Sequence, residues 1–90
     1  MGTLHDGGSV PGMYVTLDAQ TKMAYIGFNP QKRGIVAESV DLSDYADDAG
    51  VETLHDLILD FDKRGRLVGI EVMNAERALP ESLIYEARKI

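Results

Sequence analysis

The segment from Leu57 to Val72 constrains the fold of this chain more than any other. It consists of two runs rich in β-forming residues, 57–62 and 66–72, separated by the polar tripeptide Lys63-Arg64-Gly65. Two such runs around a short turn containing glycine are typical of a β-hairpin. Gly65 can adopt the left-handed conformation that a type I turn with a bulge requires. The sequence therefore predicts an antiparallel sheet built around this hairpin.

The register of the hairpin has two solutions. A three-residue loop places Phe61 opposite Leu67. A four-residue loop instead places Phe61 opposite Val68 and Leu59 opposite Ile70, which collects apolar side chains on one face. Turn chemistry favours the first register and hydrophobic matching favours the second, so the sequence leaves the choice open.

The flanking segments complete an α+β fold. Strand-like runs at 14–17, 23–28 and 35–40 precede the hairpin, and the first two are predicted to pair. Pro80 and Glu81 suit the first turn of a helix. Apolar residues then recur at spacings of three and four, at Leu83, Ile84, Ala87 and Ile90. We predict a four- to five-stranded, mainly antiparallel meander sheet with a C-terminal helix packed on one face.

The remaining segments define the extent of the domain. Residues 1–12 contain four of the nine glycines and few groups able to pack, so we expect a flexible N-terminal tail before a single domain spanning 13–90. In the acidic stretch that follows the third strand, Ser43 is expected to cap one or two helical turns ending at Gly50. Neither a signal peptide nor the ~20 apolar residues of a membrane helix are found, so we expect a cytoplasmic protein.

Charge is distributed unevenly along the chain. There are 9 Lys and Arg against 15 Asp and Glu, for a net charge of -6. Between Arg33 and Lys63 there is no basic residue, but there are nine carboxylates: Glu38, Asp41, Asp44, Asp47, Asp48, Glu52, Asp56, Asp60 and Asp62. Nucleic acids and anionic membranes both require a basic surface, so neither is expected as a partner. The acidic segment 38–62 would instead attract a basic protein.

Four residues are candidate ligands of a divalent metal ion: Asp60, Asp62, Glu71 and His55. Asp60 and Asp62 project from the same side of their strand, and Glu71 is expected beside them in the four-residue-loop register. Oxygen ligands suit Mg²⁺ and Ca²⁺, and His55 or Asp56 could add a further ligand or a general base. However, aspartates beside a β-turn more often accept hydrogen bonds from turn amides, and the calcium-loop spacing is not met.

Other chemistry is not indicated. The chain has no Cys, no Ser/His/Asp motif and no glycine-rich phosphate loop. We therefore predict no catalytic residue and no cofactor, and a non-catalytic role is favoured. A divalent-metal-binding protein or a small metal-dependent enzyme is the alternative.

One pattern resembles a known family. The residues from Asp60 to Glu71 fit Asp-x-Asp-x-x-Gly-Arg-hydrophobic-x-Gly-Ile-Glu, and they follow Tyr25-Ile26 and Val36-Ala37-Glu38-Ser39. Over roughly Met13 to Leu83 the chain resembles the domain of unknown function 2283 family, which consists of small, mainly prokaryotic proteins without an established activity. Some members look like partners of small toxin-like proteins, so the resemblance implies an antitoxin-like role.

These observations together predict a non-catalytic, homo-oligomeric protein-interaction module. A single helix cannot cover both faces of the sheet, so the uncovered face is predicted to form a homodimer. The alternating apolar residues of the hairpin are expected either in the core or at the dimer interface: Leu57, Leu59, Phe61, Val68, Ile70 and Val72.

Overall fold

The computed structural model describes residues 12–28 and 35–90. Within them, one mixed sheet contains β1 (Tyr14–Leu17), β2 (Ala24–Gly27), β3 (Glu38–Asp41), β4 (Leu57–Phe61), β5 (Leu67–Val72) and β6 (Arg88–Lys89). The order across the sheet is β3-β4-β5-β2-β1-β6, and every neighbouring pair is antiparallel except β1 and β6. The predicted flexible tail lies, apart from Gly12, outside the described residues.

The α+β class is confirmed, but the predicted meander of four or five strands is wrong. Strands β3, β4 and β5 follow one another, and β5 then pairs with β2, so that Ile26 lies opposite Ile70 and Ala24 opposite Val72. The hairpin of β1 and β2 is therefore joined to β5 rather than to β3. The sixth strand arises because the backbone extends at Ala87, which lets Arg88 and Lys89 run beside β1 instead of completing the predicted helix.

Short helices fill the connections. Residues 42–56, here called the helical insert, contain a 3₁₀ helix (Leu42–Tyr45), α1 (Ala46–Ala49) and a second 3₁₀ helix (Glu52–Asp56). After β5 come α2 (Ala75–Ala78) and α3 (Glu81–Glu86). No helix in the described part of the chain is long and apolar enough to span a membrane.

The predicted helix end at Gly50 is confirmed, but the prediction that Ser43 caps the start of the helical insert is wrong. Gly50 ends α1 with a left-handed φ of 69°. The capping side chain is Asp41 rather than Ser43, since Asp41 Oδ1 accepts a hydrogen bond from the Ser43 amide at 2.9 Å. A carboxylate suits this position because it accepts from the free amides at the start of a helix.

The hairpin of β4 and β5 uses both predicted registers in succession. Phe61 pairs with Leu67 next to the turn, and beyond a bulge Leu59 pairs with Ile70. Gly65 has a φ of 77°, as the turn requires. The bulge at Val68 reconciles the two preferences, because turn chemistry sets the pair nearest the turn and hydrophobic matching sets the rest.

The first face of the sheet carries the core. Its buried cluster is formed by strand residues and by residues of the C-terminal helical segment: Leu17, Ala24, Val72, Ala75 and Ala87. Among the six hairpin residues predicted for core or dimer face, Val72 is fully buried in this cluster, and Leu57 and Ile70 pack against it. Leu59 pairs with Ile70 and shares its face. The first face is therefore core.

Candidate functional site

The second face of the sheet carries two rows of side chains. Because side chains alternate along a strand, the register places one row on four adjacent strands: Thr16, Tyr25, Glu71 and Ile58. The other row runs across five strands: Tyr14, Gly27, Gly69, Asp60 and Ser39. The helical residues of the core cluster pack on the first face, so the second face is the side of the sheet away from α2 and α3.

Two tyrosine rings lie over the two glycines of the second face. A Cβ atom on Gly27 would stand 2.5 Å from Tyr14 Oη, and one on Gly69 would stand 3.0 Å from Tyr25 Cε2 and closer still to its Cζ and Oη. The ring centroids of Tyr14 and Tyr25 are 6.1 Å apart. Glycine is needed at both positions because any side chain would displace the ring above it.

Asp60 lies at the centre of a hydrogen-bond network and is itself buried, with only 2% of its surface exposed. Its Oδ1 accepts a hydrogen bond from Ser39 Oγ at 2.6 Å. The Tyr25 hydroxyl and the Glu71 carboxyl are also hydrogen-bonded to Asp60. A buried carboxylate is costly unless its oxygens are paired, and in the described part of the chain no buried side-chain nitrogen or oxygen lacks a partner. The network is therefore internally satisfied.

This network favours the protonated forms of its outer members. Burial, followed by the charge of Asp60, raises the pKa of Tyr25 to about 12. Burial and then the hydrogen bond to Asp60 raise the pKa of Glu71 above its usual range. Tyr25 is therefore a hydrogen-bond donor at all ordinary pH values, and the protonated form of Glu71 is favoured because it can donate to the Asp60 carboxylate.

Asp62 serves the hairpin turn instead. Its Oδ1 accepts hydrogen bonds from the amides of Arg64 at 2.9 Å and Arg66 at 3.0 Å, and its Oδ2 lies 3.3 Å from Arg66 Nε. The bond from the Arg66 amide is the main cause of a lowered pKa at Asp62. This is the turn-stabilising role that aspartates beside a β-turn commonly have.

His55 and Asp56 belong to a third group, at the end of the helical insert. His55 is exposed, with its Nε2 3.9 Å from Asp47 Oδ1. Asp56 is buried and accepts hydrogen bonds from Arg77 Nη2 at 2.6 Å and Asn74 Nδ2 at 3.1 Å. These bonds lower the pKa of Asp56, the one from Arg77 most. They attach the helical insert to α2.

The four predicted metal ligands are thus divided among three places. Asp60 and Glu71 meet on the second face, Asp62 binds the turn, and His55 lies on the helical insert. Within residues 12–28 and 35–90, no three His, Cys, Asp or Glu side chains are grouped so as to hold a metal ion. Tyr25 and Ser39 were not predicted as members of the Asp60 network. Both occur in the quoted family pattern, but their position beside Asp60 depends on strand pairings that the sequence did not predict.

The nine carboxylates between Arg33 and Lys63 are of two kinds. Asp56, Asp60 and Asp62 are buried and have partners inside the protein. The other six are exposed on β3 and the helical insert and are here called the acidic surface: Glu38, Asp41, Asp44, Asp47, Asp48 and Glu52. Tyr45 is 57% exposed and Val51 is 48% exposed in the same segment. Apolar side chains open to solvent therefore lie in the same segment as the acidic surface.

Comparison with known proteins gives one family. The model of the DUF2283 family, whose description is protein of unknown function, matches residues 15–76. The matched region runs from β1 into α2 and contains Tyr25, Ser39, Asp60, Gly69 and Glu71. No curated protein and no solved structure matches the chain.

Proposed function

The chain belongs to the DUF2283 family of proteins of unknown function, and from that premise we propose that it is a non-catalytic interaction module that binds a basic protein through the acidic surface. This proposal rests on the difference between the buried and the exposed carboxylates in the segment from Arg33 to Lys63. The three buried ones are satisfied inside the protein, whereas the six of the acidic surface face solvent. A surface of one sign attracts partners of the opposite sign and speeds their association.

Two arginines form ion pairs with buried carboxylates rather than with the acidic surface. Arg77 pairs with the buried Asp56, and Arg66 pairs with the buried Asp62. Within the described residues, the contact between a basic side chain and the acidic surface is the one between His55 Nε2 and Asp47 Oδ1, at 3.9 Å. The acidic surface is therefore left with most of its charge available to another molecule.

The two exposed apolar side chains supply binding energy that charge alone does not. Protein interfaces commonly have an apolar, often aromatic, centre within a polar rim, and tyrosine is among the residues that contribute most binding energy. Tyr45 and Val51 lie within the acidic segment with half or nearly half of their surface exposed. We propose that they form the centre of the contact and that the carboxylates form its rim.

The closed Asp60 network supports a binding role rather than a catalytic one. Its carboxylate is buried and already hydrogen-bonded to Ser39, Tyr25 and Glu71. A substrate or ion would have to replace these bonds. The antitoxin-like role implied by the family resemblance is a case of the proposed function in which the basic partner is a toxin.

The test is native mass spectrometry of the untagged protein purified from its own host, carried out on the wild type and two double variants. We expect the wild type to retain a basic polypeptide. Asp44→Lys combined with Asp48→Lys should lose it, because both changes fall on the acidic surface. Glu81→Lys combined with Glu86→Lys changes the net charge equally on exposed positions of α3 and should keep it.

Three results would contradict the proposal. They are retention of no polypeptide by the wild type, retention of an acidic one, and equal loss from both double variants. The last result would show that only total charge matters. Circular dichroism of each variant confirms that it is folded before binding is compared.

A further inference from the structure

The middle of the second face of the sheet is poor in exposed charge, although the chain is acidic. Thr16, Tyr25, Glu71 and Ile58 are all half-buried, and Asp60 is almost completely enclosed. Glu71 is hydrogen-bonded to Asp60 rather than extended into solvent. The exposed charged residues on this side, Asp41 and Arg88, lie at its two edges, on β3 and β6, and Asp41 belongs to the acidic surface. The middle of the face therefore offers aromatic and apolar groups with little net charge.

The core on the opposite face is small. Three of the five residues in its buried cluster are alanines, at 24, 75 and 87, and Val72 is the one large side chain that is fully buried in the described part of the chain. A domain of this size leaves much of its surface exposed and is marginally stable alone. Covering the second face would bury a second layer of apolar atoms.

We propose that the second face binds a second copy of this chain, which makes the protein an isologous homodimer. A basic partner would be drawn to the acidic surface rather than to this face. Two copies that each carry a charge of -6 repel one another, and they approach at least cost where little charge is exposed. A two-fold axis through the face would bring the Tyr25 and Ile58 region of each copy against the same region of the other.

The second face is a different surface from the acidic one, so self-association there can fail independently of the proposed function. Sedimentation velocity of the full chain at micromolar concentrations should show a dimer. Thr16→Arg and Ile58→Arg should each raise the dimer dissociation constant by roughly 100-fold or more, because each places two like charges across the axis. Tyr85→Arg is the matched control, since Tyr85 is 83% exposed on α3 and its substitution should leave the dimer intact.

Hydroxyl-radical footprinting of the wild type tests the same interface without a substitution. On dilution of the dimer, oxidation of Tyr25 and Ile58 should increase, while that of Tyr85 stays constant. A monomeric wild type, a dimer unaffected by Thr16→Arg and Ile58→Arg, or protection confined to α3 would overturn the proposal. Dissociation by Asp44→Lys with Asp48→Lys would also overturn it, by placing the self-contact on the acidic surface.

Discussion

Replacing Gly69 by alanine is the most direct test of the Asp60 network. The new methyl group would stand 3.0 Å from Tyr25 Cε2 and closer to the end of the ring, a distance that packed atoms do not tolerate. Strand β5 cannot retreat, because it is paired with β4 on one side and β2 on the other. The Tyr25 ring must therefore move and release its hydrogen bond to Asp60.

The cost has three parts. Removing one hydrogen-bond donor from a buried carboxylate costs about 1–3 kcal/mol. Overpacking costs about 1–3 kcal/mol when it is not relieved, and movement of the Tyr25 ring relieves part of it. Alanine is preferred to glycine in a strand by about 0.5–1 kcal/mol, which offsets some of the loss. We expect Gly69→Ala to lower the free energy of unfolding by roughly 2–3 kcal/mol, or the melting temperature by roughly 10–20 °C.

Urea unfolding followed by circular dichroism, at one fixed protein concentration, measures this loss. The decisive comparison repeats Gly69→Ala in a Tyr25→Ala background, where no ring occupies the space and the substitution should be neutral or slightly stabilising. Gly50→Ala is the control, since Gly50 has a left-handed φ of 69° with nothing near its Cβ position. Its cost of about 1 kcal/mol should be the same in both backgrounds. If Gly69→Ala were equally harmful with and without the Tyr25 ring, the reasoning would be refuted.

Three further predictions concern ionisation. The folded protein raises the pKa of Glu71. Ionisation of Glu71 therefore removes stability as the pH rises from the usual glutamate range through the raised value. Glu71→Gln should raise the urea midpoint at neutral pH, but not near about pH 4. The pKa of Asp56 is lowered by Arg77, so its stabilisation is present above the usual aspartate range and disappears as the pH falls through the lowered value. Asp56→Ala should therefore lower the melting temperature by several degrees at neutral pH, and the gap from the wild type should close on acidification. The difference between the alkaline absorbance titrations of the wild type and Tyr25→Phe should have its midpoint at about 12, and a midpoint near about 10 would indicate an unperturbed phenol.

Local features of the fold were predictable from the sequence, and distant pairings were not. The β4–β5 hairpin, its turn at Gly65 and the helix end at Gly50 follow from residues within a few positions of one another. The pairing of β2 with β5 joins segments far apart in the chain, and β6 is too short to show a period of two. The bulge at Val68 could not be predicted, because turn chemistry favoured the three-residue loop and hydrophobic matching favoured the four-residue loop.

The same distinction applies to the candidate site. Asp60 and Glu71 were identified from the hairpin, since both lie on it. Tyr25 could be placed beside them only once β2 was known to pair with β5, and Ser39 only once the register of β3 against β4 was known. Asp62 and Asp60 look equivalent in the sequence, yet one accepts from turn amides and the other from side chains across the sheet.

The placement of β2 beside β5 has a consequence for the order of folding. Strands β3, β4 and β5 can pair as a unit of residues 38–72, which contains the whole acidic surface. The hairpin of β1 and β2 is synthesised first, but it can join the sheet only after β5 has left the ribosome. Long-range pairing requires closure of a large loop and is the slower event. In refolding followed by pulse-labelled hydrogen exchange, the amides between β4 and β5 should therefore gain protection before those between β2 and β5.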